Sequence, residues 1–164
     1  QDARNAFLTG AEYYCGMCAP TYPPYFNYPL YVEAAASATA AEWQAAADSL
    51  LQRSVETVYV VPGAGDDEML GYLARAGVNI IGGADHPTDA DEAWVATLDF
   101  SLSEAFLDSW PSFVDGQVDQ IIDLPLTITD INDELLTIGR QRLVMNLMAD
   151  VFAGYVDLGT TPIP

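Results

Sequence analysis

The spacing of apolar residues changes period repeatedly along this chain, and each change predicts an element. The clearest succession runs from Val55 to Asp85, VETVYVVPGAGDDEMLGYLARAGVNIIGGAD. Thr57 to Val61 is an unbroken β-branched and aromatic run, the pattern of a strand buried on both faces of a parallel sheet. Pro62-Gly63-Ala64-Gly65 breaks it. Asp66 and Asp67 follow, and acids at a helix start suit the positive end of the helix dipole. Met69, Leu70, Leu73 and Ala76 share one helical face, and Gly77 is a natural stop. Val78 to Ile81 reads as a second buried strand that leaves through Gly82-Gly83-Ala84-Asp85. The whole is one right-handed βαβ unit. Ligands of open α/β sheets bind beyond the carboxyl ends of the strands, which is where both glycine turns fall.

The flanking sequence extends this alternation. Asp2 to Tyr14 has a helical apolar face of Ala3, Phe7, Leu8, Ala11 and Tyr14. Leu30 to Ala35 reads as a strand. Thr39 and Glu42 have the spacing of a capping box for a helix running to about Arg53, with Trp43, Ala46, Ala47, Leu50 and Leu51 as its buried stripe. Pro87 to Glu92 is expected to be an acidic loop and Trp94 to Leu98 a strand. A helix capped by Ser101 or Ser103 then carries Leu102, Ala105, Phe106, Trp110 and Phe113 on one face. Pro111 is expected to kink or end it, and Asp115-Gly116 closes the segment. Gln120 to Ile131 looks extended, and Pro125 assigns it to a sheet edge or an irregular connection. Asn132 to Leu136 is a turn. Arg140 to Val156 is a helix whose stripe of Leu143, Val144, Leu147, Met148, Val151, Phe152 and Tyr155 is expected to pack into a core. The fold class is therefore α/β, a parallel sheet with helices on both faces. Residues 1–164 read as a single lobe. Because it opens on a helix with no strand before it, the lobe is expected to be a fragment of a two-lobed protein.

Charge narrows the partners. The net charge is −19; the chain has no lysine, and its five basic residues are Arg4, Arg53, Arg75, Arg140 and Arg142. Such a surface repels phosphate backbones and anionic lipid heads, so direct binding to nucleic acid or to a membrane surface is not expected. No apolar run approaches the ~18 residues of a membrane span. Cys15 and Cys18 form C-G-M-C. A redox-active CxxC normally opens a helix after a strand, whereas this pair ends a predicted helix. A zinc half-site needs two further ligands, and His86 is the sole histidine. A structural disulfide or two buried thiols are the preferred readings, and a disulfide suits an extracytoplasmic setting.

Catalytic motifs are absent: there is no G-x-S-x-G elbow, Walker A loop or H-E-x-x-H. Pro62 to Gly65 lacks the third glycine of a dinucleotide fingerprint. Asp85 and Asp99 both fall just beyond strand ends. There they are suited to acid/base work or to gripping hydroxyls or an amine, and equally to forming turns and caps. His86 reads as a surface residue. Tyr22, Tyr25, Phe26 and Tyr28 stud a proline-rich loop, Ala19 to Pro29, and either pack on their own core or stack on a ligand or another domain. The expectation is a binding protein without a cofactor, not an enzyme.

The order of these features resembles a known family. Ala6-Phe7-Leu8-Thr9-Gly10-Ala11 resembles an F-x-x-G-(A/V) helix. Ala40 to Leu51 followed by Val55 to Val61 resembles an "A…L…G-A-D-V-V" helix-to-strand passage. Pro62 to Gly65 with Leu70 is similar to a glycine turn and its helix. Ala76-Gly77-Val78 to Gly83-Ala84-Asp85 resembles "A-G-V…I-G-V-D", and Leu143 to Val156 a closing helix ending in "G-x-(I/V)". Together these resemble the carboxy-terminal lobe of a type I periplasmic substrate-binding protein, in particular the basic membrane protein (Med) lipoproteins of ABC transporters. The resemblance implies an extracytoplasmic solute receptor. It would close two lobes of one chain on a nucleoside-like or other small polar ligand and deliver it to a membrane permease. A lipid anchor upstream of this sequence would tether it. Asp85 would hold ligand hydroxyls, and Gly63, with Gly65 in the same turn, would let backbone approach the ligand. Asp99-Phe100 stands where the family often has a lysine, which implies a different ligand or a lost site. Two alternatives stand beside this reading: a ligand-blind sensory or structural domain of the same fold, and a thiol redox module using Cys15 and Cys18.

Overall fold

The computed structural model describes residues 2–15, 30–35, 37–83, 86–117, 122 and 126–157. It divides into two compact units, one formed by Gln1–Glu33 with Thr137–Pro164 and the other by Ala34–Leu136.

The Ala34–Leu136 unit is an α/β fold. With α1 (Asp2–Cys15) belonging to the other unit, it contains α2 (Ala40–Leu51), β1 (Thr57–Val60), α3 (Asp67–Arg75), β2 (Asn79–Gly82), β3 (Trp94–Phe100), α4 (Leu102–Val114) and β4 (Leu126–Thr129). The strands form an open sheet in the order β1-β2-β3-β4. The first three are parallel, and β4 runs antiparallel to β3. The mixed edge agrees with the expectation of an edge strand near Pro125, which itself lies outside the described residues.

One face of the sheet builds the core. Val58 and Val60 of β1 and Ile80 of β2 pack with Ala47 of α2 and with Met69, Leu70 and Leu73 of α3. α2 and α3 pack against each other on that face. Ala46, Ala47 and Leu50 are buried, while Trp43 and Leu51 pack half-buried on the same cluster, as the spacing of the stripe requires. The sequence places Pro87 to Glu92 in a loop; the structure winds Thr88–Ala93 into a 3-10 turn that buries Ala90 against this core.

Helix ends follow their sequence signals. Thr39 is the N-cap of α2, and its hydroxyl accepts from the Glu42 amide at 3.4 Å. The Glu42 carboxylate in turn accepts from the Thr39 amide at 2.7 Å and from its hydroxyl at 2.9 Å. These bonds, the backbone one foremost, hold the Glu42 carboxyl below its usual range. The Tyr72 hydroxyl donates to Asp48 Oδ1 at 2.9 Å, tying α3 to α2. That bond, reinforced by desolvation and the Asp48 charge, raises the tyrosine pKa. The two groups act at opposite ends of the pH scale. A carboxyl lowered on folding stabilises the native state above its unfolded pKa, near 4.5, and loses that contribution as pH falls through the lower folded value. A phenol raised on folding contributes below about 10 and loses its contribution as pH rises through the higher folded value. Urea midpoints measured from about pH 3 to 6 are expected to fall on the acid side. The fall should be smaller in Glu42→Gln, which removes the titrating carboxyl; an unchanged acid limb in that variant would disprove the assignment.

Two expectations fail and a third is narrowed. Leu30–Ala35 is not a strand: it has no ladder partner among the described residues, and residues 31–35 are exposed. An apolar run becomes a strand only where both a neighbouring strand and a buried face exist for it. Tyr31 instead carries the Arg4 guanidinium 4.7 Å over its ring. Of the two outcomes expected at Pro111, a kink or an end, the end does not occur: α4 continues to Val114 before Asp115 caps it. Finally, the apolar stripes of the later helices are not core. Of α4 only Ala105 is buried, and α5 (Ile138–Phe152) buries no residue. Leu143 and Phe152 are exposed, and Val144, Leu147, Met148 and Val151 are half-buried. α1 forms where its spacing places it, with Phe7 exposed. The aromatic loop from Ala19 to Pro29 lies outside the described residues.

Candidate functional site

The three parallel strands point the same way, so the sheet has one carboxyl edge made by the exits of β1, β2 and β3. Beyond β1, Val61 leads into Pro62-Gly63-Ala64-Gly65. Gly63 (φ +77°) and Gly65 (φ +113°) both take backbone conformations open chiefly to glycine. A Cβ at Gly63 would meet nothing within 4 Å, so the turn presents bare backbone outward, whereas Gly65 lies against Met69 and Val60. Asp66 then caps α3, its carboxylate accepting from the Met69 amide at 2.8 Å. Asp67 and Glu68 add two further acids to the first turn.

β2, the neighbour of β1, ends at Gly82 and leaves through Gly83, and the roles of both are steric. A Cβ on Gly83 would fall 2.5 Å from Pro62 Cδ and 2.9 Å from its nitrogen, so the exits of β1 and β2 are closed directly on each other. A Cβ on Gly82 would fall inside the Trp94 indole. The register explains why the indole lies there. Ile80 pairs with Trp94 but Ile81 with Ala96, which leaves Val95 as the extra residue of a bulge. The bulge brings Trp94 and Thr97 to one face, where the indole Nε1 donates to the Thr97 hydroxyl at 2.9 Å. Gly82, opposite Thr97, leaves room for the ring.

β3 extends to Phe100, two residues further than the alternation of the sequence requires, because β4 pairs with the overhang: Asp99 lies opposite Thr127 and Phe100 opposite Leu126. Asp99 and Phe100 are therefore the last residues of the strand rather than residues beyond it. Both are exposed, and the Asp99 carboxylate accepts from the Phe100 amide at 2.7 Å. The structure thus brings Gly63, Gly65, Asp99 and Phe100 to one edge. The two ends of that set stand two strands apart, roughly 10 Å by ordinary sheet spacing. Asp85 lies outside the described residues, as does Cys18, and nothing described bears on a Cys15–Cys18 pairing.

His86, read from sequence as a surface residue, is half-buried. Its Nε2 lies 2.7 Å from Asp91 Oδ1, and its ring stacks on Trp94 at 5.0 Å. Sequence spacing carried no signal for this group, because the 3-10 turn that returns Asp91 to His86 was not expected. Charge at the edge is one-sided. Asp66, Asp67, Glu68 and Asp99 lie at the exits of β1 and β3, while Arg75 is at the opposite end of α3, 3.6 Å from Asp89. Among the described residues no group of three or more His, Cys, Asp and Glu is placed to hold a metal ion. No described helix is long and apolar enough to cross a membrane.

The fold and this edge define an α/β domain with a glycine-lined carboxyl edge. In comparisons with family models, with curated proteins and with solved structures, none matches this chain.

Proposed function

We propose that the Ala34–Leu136 unit is the ligand-holding part of an extracytoplasmic solute receptor. Its ligand would be a small neutral or cationic polar molecule taken up at the carboxyl edge of β1, β2 and β3. One observation carries this reading: at that edge the backbone turn at Gly63, open on its Cβ side, lies among acids, and Arg75 stands at the far end of α3. A glycine turn lets a ligand approach the main chain, and carboxylates there accept from hydroxyls or an amine. The α3 N-terminus would ordinarily attract a phosphate. Here Asp66 already occupies the Met69 amide, and Asp67 and Glu68 add negative charge, which disfavours phosphorylated ligands.

The likeness of the sequence to the basic membrane protein lipoproteins supports the wider reading. In it a second lobe of the same chain completes the cleft, an ABC permease receives the ligand, and a lipid anchor in an upstream segment holds the receptor at the membrane. A thermal-shift screen tests this reading, using the full natural reading frame with nucleosides, sugars and amino acids against the matching nucleotides and sugar phosphates. A ligand at about 100 times its Kd adds roughly 2.7 kcal/mol of apparent stability. The expected result is a shift from an unphosphorylated compound that its phosphorylated form fails to give and that Asp99→Ala and Asp85→Ala each reduce. No shift from any class, with the chain folded, would leave the ligand-blind domain as the better account.

A further inference from the structure

We propose that His86 and Asp91 form a pH-sensitive clasp that fastens the connection between β2 and β3 onto Trp94 more firmly in mild acid than at neutral pH. The connection is held at three places. Its 3-10 turn, Thr88–Ala93, buries Ala90 in the core, and the Ala90 amide donates to the Pro87 carbonyl at 2.9 Å. Where the turn meets β3, the Trp94 amide donates to the Asp91 carbonyl. On the side nearer β2 the hold is His86. Its Nε2 lies 2.7 Å from Asp91 Oδ1, and its ring stacks on the Trp94 indole with centroids 5.0 Å and planes 24° apart. The indole is a fixed base for this stack, being 2% exposed and bonded through Nε1 to Thr97. The two clasp side chains are not sealed from water: that of His86 is 26% exposed and that of Asp91 57%.

A carboxylate accepts and does not donate, so Nε2 carries the proton of the neutral imidazole, and a further proton is taken up at Nδ1. That step strengthens both contacts at once. The hydrogen bond to Asp91 becomes an ion pair, and the stacked ring becomes a cation over an indole face. Neither gain exists while the ring is neutral, so closure and proton uptake favour each other, and the clasp loosens as pH rises. Histidine is the side-chain type whose charge ordinarily changes between pH 5 and 8, and His86 is the sole histidine of the chain. The charges on the elements around it act in the same sense. The 3-10 turn also carries Asp89 and Glu92, and Asp85 precedes His86 in sequence. α3 has Asp67 and Glu68 in its first turn and Arg75 in its last, with Arg75 held 3.6 Å from Asp89. β2 has no charged residue, and β3 has Asp99 near its far end. Arg75, the one cation of these elements, is thus already beside an acid.

The test measures hydrogen-exchange protection factors of the Ala90 and Trp94 amides in the full chain at about pH 5 and about pH 7.5, values that bracket ordinary histidine titration. Protection factors divide out the intrinsic pH dependence of exchange, so what remains is the opening of the connection. The expected result is protection roughly threefold greater at the lower pH, the scale of a partly exposed ion pair. His86→Gln keeps a donor for Asp91 but does not titrate, and it should abolish the difference. Asp91→Asn leaves the ring on Trp94 but removes the ion pair, and it should reduce the difference by about half or more. Far-UV circular dichroism at both pH values confirms that each variant is folded. Equal protection at the two pH values in the unsubstituted chain would by itself overturn the proposal. So would a full difference that persists in either variant. No ligand enters the measurement, so its outcome is separate from that of the ligand screen.

Discussion

Gly82→Ala is expected to lower the free energy of unfolding by about 3 kcal/mol, at the upper end of the range for overpacked cores. The new methyl would fall on both Cη2 and Cζ2 of Trp94, well inside van der Waals contact. The ring has little freedom to yield. Trp94 is 2% exposed, lies in the core cluster, is tethered by its Nε1 to Thr97 and stacks against His86. Relief therefore requires moving the strand or expelling the indole. Urea unfolding followed by tryptophan fluorescence measures both the loss of stability and any change in the environment of the ring. A cost below about 1 kcal/mol would show that β2 and β3 shift apart easily and that the Gly82–Trp94 contact does not fix their spacing.

Leu73→Ala is expected to cost about 3 to 4 kcal/mol. Leu73 is fully buried in the core cluster between α3 and the sheet. Truncating a buried leucine loses both its transfer free energy and the packing around the cavity it leaves. A domain of this size has roughly 5 to 15 kcal/mol of stability in all, so the variant should be visibly less folded at physiological temperature. The same truncation at Leu107, 69% exposed on α4, should change stability by no more than about 0.5 kcal/mol. Equal costs at the two sites, read from urea midpoints, would mean that α4 is covered in solution and would contradict the exposed face described above.

Local signals were legible wherever a residue acts through its own backbone. Thr39 with Glu42 marked the cap of α2, Asp66 and Asp67 the start of α3, and Gly77, at φ +82°, its end. The βαβ unit followed from the same kind of signal. What sequence spacing could not carry was the presence of a covering partner. Phe106 and Trp110 have helical periodicity, as do Leu70 and Leu73, but only the latter pair has a sheet to face. Leu30–Ala35 has the composition of a strand and no ladder to join among the described residues. At the candidate site the glycine turns and Asp99 were visible as residues. The reason for Gly82 and Gly83 was not, because it depends on Trp94 and Pro62, brought in from neighbouring strands by a bulge and a turn.

The strand order has a consequence for how the chain acquires its structure. Each strand of the sheet pairs with the one that precedes it in sequence, from β1 through β4. During synthesis every new strand of this sheet therefore emerges beside a partner that already exists, and none has to wait for a distant segment. Short separations between pairing segments lower the entropic cost of closing each loop, the condition that goes with faster folding. The sheet can grow in one direction, from its β1 edge outward, with the antiparallel β4 added last.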